Sequence, residues 1–135
     1  MTVIAHGIDM VDCRRLAQAI ERHGQKFLDR IFTPAEQEYS RGRKRHVEHL
    51  AGRFAAKEAV LKLLGTGWQR GISWTEVEVR NEPSGQPRVY LTGQCRRIAD
   101  ELGLVDILIS ISHIDTHAIA SAIGSAESAG GARAT

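Results

Sequence analysis

The chain has 135 residues, 42% of them hydrophobic and 25% charged, with a net charge of +2. That length suits one domain and that composition an ordinary globular protein, and so weak a charge gives no ground by itself for a nucleic-acid-binding class. Its two cysteines, Cys13 and Cys95, lie far apart without metal-ligand spacing, which argues against a disulfide framework and for a reducing compartment.

The opening MTVIAHGIDMVD is too short and too acidic for a signal peptide. No apolar run approaches the roughly 20 residues of a membrane helix. A cytoplasmic location and no membrane partner are expected. Residues 3–11, β-branched and small, predict a strand ending at Asp12. A helix follows with Leu16, Ile20 and Phe27 near one face and a break at Gly24. A second short helix, residues 25–31, ends before Thr33-Pro34, a helix start with Thr33 as N-cap and Glu36 in the first turn.

Residues 46–64 give the strongest helix signal: no proline, one internal glycine, and a stop at Gly65-Thr66-Gly67. Strands are predicted over 75–80 and 88–91, joined by the turn residues Asn81-Glu-Pro-Ser-Gly85. Thr92 caps a helix to about residue 102, closed by Gly103. Residues 106–113 and 117–123 form a last strand pair. The domain is expected over 1–124, with the small polar stretch 125–135 as a disordered tail. Helices intermixed with hairpin-like strand pairs predict an α+β fold, an antiparallel sheet packed on a long central helix.

Two acids sit where acids are costly. On a helical wheel of about 100° per residue, Val47, Leu50 and Leu61 lie within roughly 40° of Phe54, and this is the predicted buried stripe. Glu58 falls inside it, and Lys62 flanks it. A carboxylate against the core costs several kcal/mol unless paired or metal-bound. A Glu58–Lys62 pair at i, i+4 is the plain explanation. Asp9 stands between apolar neighbours in a strand, a setting that disfavours Asp; backbone donors at a strand end would satisfy it. If Asp9 and Glu58 meet, two carboxylates with waters and phosphates are how Mg²⁺ is usually held.

His113 shares a strand face with Ile107, Ile109 and Ile111, while Ser110 and Ser112 point the other way. The pairs His46/His49 and His113/His117 have metal-compatible spacing but lack the helical two-histidine geometry of a zinc site. Arg41, Arg43, Lys44, Arg45, Arg53, Lys57 and Lys62 put many cations on or just before the central helix, and Gly65-Thr66-Gly67 can bring N–H groups to phosphates.

Three segments together resemble a known family: Gly7-Ile-Asp9, the run Leu50-Ala-Gly-Arg-Phe-Ala-Ala-Lys-Glu58-Ala-Val-Leu-Lys62, and Ser110-Ile-Ser-His113. Their order and spacing resemble the holo-acyl-carrier-protein synthases, the small bacterial class of 4'-phosphopantetheinyl transferases, over residues 3–123. The resemblance implies a magnesium-dependent transferase that moves phosphopantetheine from coenzyme A to a serine of an acyl carrier protein, in fatty acid synthesis. It implies Mg²⁺ at Asp9 and Glu58, and Lys62 near the phosphates. Arg45, Arg53, Gly65, Thr66, Gly67, Ser112 and His113 are implied at the coenzyme, with Glu58, Lys62 and His113 as the catalytic set. Arg14, Arg15, Phe27 and Ile31 match the carrier-protein surface. A homotrimer with active sites between subunits is the implied assembly. A polyanion-binding module, a zinc hydrolase and a purely structural trimer are the rival classes. The first leaves the placement of Glu58 unexplained, and the second would require Zn²⁺ and survive loss of Asp9.

Overall fold

The computed structural model describes residues 1–65 and 71–127. The elements in chain order are β1 (Thr2–Asp12), α1 (Cys13–Ile31), α2 (Pro34–Ser40), α3 (His46–Leu64), a single 3-10 turn (Trp74–Glu76), β2 (Val77–Asn81), β3 (Pro87–Leu91), α4 (Gly93–Glu101), β4 (Asp106–His113) and β5 (His117–Ala126). β5 lies between β1 and β4, antiparallel to both, and β2–β3 form a separate hairpin. The expected α+β architecture is present, with α3 laid across the three-stranded sheet.

The closeness of α3 to the sheet is set by small residues. Ala51, Ala55, Ala56 and Ala59 on α3 are fully buried, and β5 turns Ala118, Ala120 and Ala122 inward. Gly7 on β1 is the tightest point. A Cβ there would stand 2.1 Å from the Ala59 carbonyl oxygen and 2.9 Å from the Leu63 nitrogen. The odd residues Ala5, Gly7, Asp9 and Val11 therefore face α3, and the even residues Ile4, Ile8 and Met10 face outward. With Leu108, Ile119 and Ile123, these form an exposed apolar outer face.

The predicted buried stripe of α3 needs correction. Leu50 and Leu61 are buried, but Phe54 and Val47 are only partly so. From Phe54 onward the one seam left open is Phe54, Glu58 and Lys62, at four-residue spacing. The helix is buried on nearly all sides because alanines, not large apolar residues, make its sheet contact. A wheel weighted by hydrophobicity reads the open seam as the core.

Local signals otherwise act as their chemistry dictates. Asp12 caps α1 through Oδ1, which accepts from the Arg14 and Arg15 N–H groups at 2.9 and 3.2 Å. Gly24 kinks α1 with φ of 62°. Thr33 and Glu36 form a capping box on α2. Thr92 precedes α4 but its side chain caps nothing; Glu76 Oε1 accepts from the Cys95 N–H instead, at 3.0 Å. β5 extends to Ala126, so residues 125 and 126, assigned to the tail, pair with Val3 and Thr2. Cys13 and Cys95 are buried free thiols, the second pushed by burial up to about 12. No helix among the described residues is long and apolar enough to cross a membrane.

One charge is fully inside. Lys57 Nζ contacts Glu36 Oε1 at 2.7 Å and donates to the carbonyls of Trp74 and Val77. Glu36 in turn accepts from the Thr33 and Val79 N–H groups. This pair ties α2 to α3 and the hairpin. Lys57, counted above among the cations on or just before the central helix, belongs to this lock.

Candidate active site

Asp9 and Glu58 reach one place because Gly7 lets β1 lie on α3. Both line a cleft of about 490 Å³ with Asp12, Arg15, Phe27 and Phe54. Asp12 holds the first N–H groups of α1, so Asp9 is left without a capping role. Its partner is Lys62, whose Nζ lies 2.9 Å from Asp9 Oδ1 and also donates to the Ile8 carbonyl at 3.1 Å. The expected Glu58–Lys62 ion pair therefore does not form. Lys62 bridges to β1, and Glu58 has no hydrogen-bond partner among the described residues.

The electrostatics of this cleft follow from that division. Burial, and then the charge of Asp9, raise the proton affinity of the Glu58 carboxyl, against a smaller opposing pull from Lys62. The hydrogen bond and charge of Asp9 raise the Lys62 ammonium in turn. Two hard oxygen donors, one of them unpartnered and disfavoured as a free anion by its neighbours, fit a small divalent cation. The donor set suits Mg²⁺ with several ligands supplied by water or substrate.

A second cleft of about 220 Å³ is lined by Tyr39, Glu48, His49, Arg53, Asn81 and His113, among others. It shares no residue with the first. Arg53 is 5% exposed, donates to Asn81 Oδ1 at 2.5 Å, stacks over the Tyr39 ring at 4.0 Å, and has a buried Nε with no partner. Burial lowers its guanidinium. His113 Nδ1 lies 2.7 Å from Glu48 Oε1. Arg45 is exposed, its Nε 3.9 Å from Glu48 Oε2.

The sequence-predicted residues therefore divide into two groups. Asp9, Glu58 and Lys62 converge, and Arg45, Arg53 and His113 converge elsewhere. Arg53 and Phe54, adjacent in sequence, point about 100° apart around α3 and serve different clefts. His117 lines the acid cleft, away from His113. Ser112 lies on the outer sheet face, opposite His113. The Gly65 N–H is occupied by the Leu61 and Lys62 carbonyls, so it is not free for a phosphate. Thr66 and Gly67 lie outside the described residues. Arg14 and Arg15 are exposed and Phe27 is half-buried, but Ile31 is 4% exposed in the core and cannot present itself to a partner. Its place beside the core residue Phe32 explains the difference. Glu48, Tyr39 and the Glu36–Lys57 pair were not singled out as functional or structural partners, since contacts across such chain separations leave no local pattern.

Comparison with known proteins adds to this geometry. The profile of the 4'-phosphopantetheinyl transferase superfamily matches residues 5–122. A holo-[acyl-carrier-protein] synthase from Koribacter versatilis is 43% identical, covering 90% of this chain and 97% of its own length. The crystal structure of the Neisseria meningitidis synthase superposes with a TM-score of 0.83 at 27% identity, covering 92% of this chain and 99% of that one. The Bacillus anthracis synthase, in complex with CoA (3',5'-ADP), gives 0.77 at 31% identity over 94% and 100%.

Proposed function

This chain belongs to the 4'-phosphopantetheinyl transferase superfamily, and from that premise we propose a holo-acyl-carrier-protein synthase in which Asp9 and Glu58 hold a Mg²⁺ ion. It transfers 4'-phosphopantetheine from coenzyme A to a serine of an apo acyl carrier protein, for fatty acid synthesis. The serine Oγ forms a bond to the β-phosphorus, the bond from that phosphorus to the bridging oxygen breaks, and adenosine 3',5'-bisphosphate leaves. The observation that carries the metal reading is that Asp9 and Glu58 line one cleft, with Lys62 held on Asp9.

A bound divalent ion supplies charge to the pyrophosphate oxygens. Lys62, anchored to Asp9 and Ile8, keeps a fixed positive charge beside them. The serine proton passes to Glu58 or to a water that it orients. Arg45, Arg53 and His113 hold the coenzyme's phosphates. The unpartnered buried Nε of Arg53 supports this, since such a donor calls for an acceptor. Arg14 and Arg15, exposed at the start of α1 beside the acid cleft, are suited to an acidic carrier protein. Arg14→Glu should raise the Michaelis constant for carrier protein most at low salt; an unchanged constant would remove α1 from the docking surface.

The two clefts share no residue, which supports a reading in which one chain's acid cleft is completed by another chain's basic cleft. The exposed apolar sheet face supplies the burial for a homotrimer. Mixing two impaired variants tests this. At coenzyme A too dilute to saturate His113→Ala, Asp9→Asn and His113→Ala subunits reassembled together should transfer faster than the average of the two parents, because some interfaces pair two intact halves. Mixtures no faster than that average would rule out shared sites. The activity itself is read by intact mass: apo carrier protein, coenzyme A and Mg²⁺ should give a carrier heavier by one phosphopantetheine, and chelator should stop it. Turnover undiminished by chelator would refute the metal reading.

A further inference from the structure

The mechanism above uses His113 but not the carboxylate that holds it. Glu48 lies in the first turn of α3, where acids are common because the helix dipole favours them. Such acids are usually solvated, whereas the Glu48 side chain is 11% exposed. Its pair with Arg45 is long, at 3.9 Å, and Arg45 is 69% exposed, so that pair explains little. Its short contact is the one to His113, at 2.7 Å. Sixty-five residues separate the two in sequence. Gly52 brings their elements together: a Cβ there would stand 2.9 Å from Ile111 Cγ2, so β4 and α3 cross closely just before His113.

A neutral imidazole has one donor nitrogen and one acceptor nitrogen, and the partner of one decides the role of the other. With the Glu48 carboxylate as acceptor at Nδ1, the favoured neutral tautomer carries its proton there and leaves Nε2 as the other ring nitrogen of a residue that lines the cleft. The remaining wall is built to hold the ring still. His49 packs edge to face on His113 with centroids 5.7 Å apart, and Tyr39 packs likewise on His49. Burial and the neighbouring His113 lower the His49 imidazole from its ordinary range.

We propose that Glu48 is a positioning residue for the transfer: it accepts a hydrogen bond from His113 Nδ1–H and so fixes Nε2 toward the phosphates of coenzyme A. This rests on the reading that His113 contacts the coenzyme, and the test separates the two. His113→Ala should raise the Michaelis constant for coenzyme A about tenfold, the scale of one charge-assisted hydrogen bond. Glu48→Ala should approach the same loss, and the double variant should be no worse than His113→Ala alone. Glu48→Gln, whose amide oxygen still accepts, should stay within about twofold of wild type. Glu48→Leu keeps the bulk and serves in place of the alanine variant if that one does not fold. In the protein without coenzyme, ring ¹⁵N shifts should report His113 protonated at Nδ1 in wild type and Glu48→Gln, with that preference lost in Glu48→Ala or Glu48→Leu. Losses that multiply in the double variant, or an unchanged ring spectrum without the carboxylate, would overturn the role of Glu48 alone. A normal constant in His113→Ala would overturn the underlying reading and this one with it.

Discussion

Lys57 and Glu58 are neighbours on α3, and they meet opposite surroundings. The Lys57 ammonium is wholly enclosed, with a carboxylate and two carbonyls around it. Glu58 is half-buried at a cleft, with no hydrogen-bond partner among the described residues and a carboxyl whose proton affinity is raised. A charge that holds a fold together is saturated by its protein. A charge kept for an exogenous ligand is enclosed enough to be uncomfortable and is left incomplete. The contrast sorts two chemistries within one short run of α3.

The comparison can be broken from either end. The largest effect is expected at the incomplete charge: Glu58→Gln or Asp9→Asn should lower transfer about a thousandfold, on the scale of losing a pre-organised electrostatic group. Their circular dichroism should match wild type, and near-normal turnover would show that this carboxylate pair is not the working one. Next is the saturated charge. Lys57→Met leaves Glu36 buried without its cation and should destabilise the chain by about 3–5 kcal/mol in denaturant titration. A variant as stable as wild type would deny the lock.

Gly7→Ala probes what joins the two regions. Its methyl would meet the Ala59 carbonyl oxygen, so the strand must shift, at about 1–3 kcal/mol or more. Turnover should fall with stability, because Asp9 rides on the same strand; full activity would mean that the tight contact does not set the acid pair.

The smallest effect sharpens the contrast. The raised Glu58 carboxyl means that the folded chain still binds a proton there when the unfolded chain has released it. Stability from this residue therefore falls as pH rises from the ordinary carboxylate range through the raised value. With chelator present, Glu58→Gln should melt slightly above wild type at neutral pH and lose that advantage in acid. A lower melting temperature at neutral pH would show that the ionised carboxylate is stabilising.

Much of this was legible in the sequence, for reasons that can be named. The bounds of α3 follow from an uninterrupted helix-forming run closed by Gly65 in the left-handed conformation. The hairpin follows from its turn residues, and Asp9 and Glu58 stood out as acids among apolar neighbours. The buried side of α3 was misread because alanine weighs little on a hydropathy wheel yet permits the closest packing. The division into two clefts was hidden because Arg53 and Phe54 are adjacent in sequence but diverge around the helix. Glu48 and His113 meet only through the crossing at Gly52, which no local pattern announces. Ile31 went to the core because the chain turns inward at Phe32.

The hydrogen-sized gap at Gly7 acts as a gauge block between strand and helix. The backbones that carry the two acids cannot separate without prying β1 from the alanine floor of α3. If Asp9 and Glu58 hold a cation as proposed, a wider one would be accommodated by side-chain rotation and not by spreading the walls. Ion-size discrimination would then be machined into the core at a place no ligand ever touches.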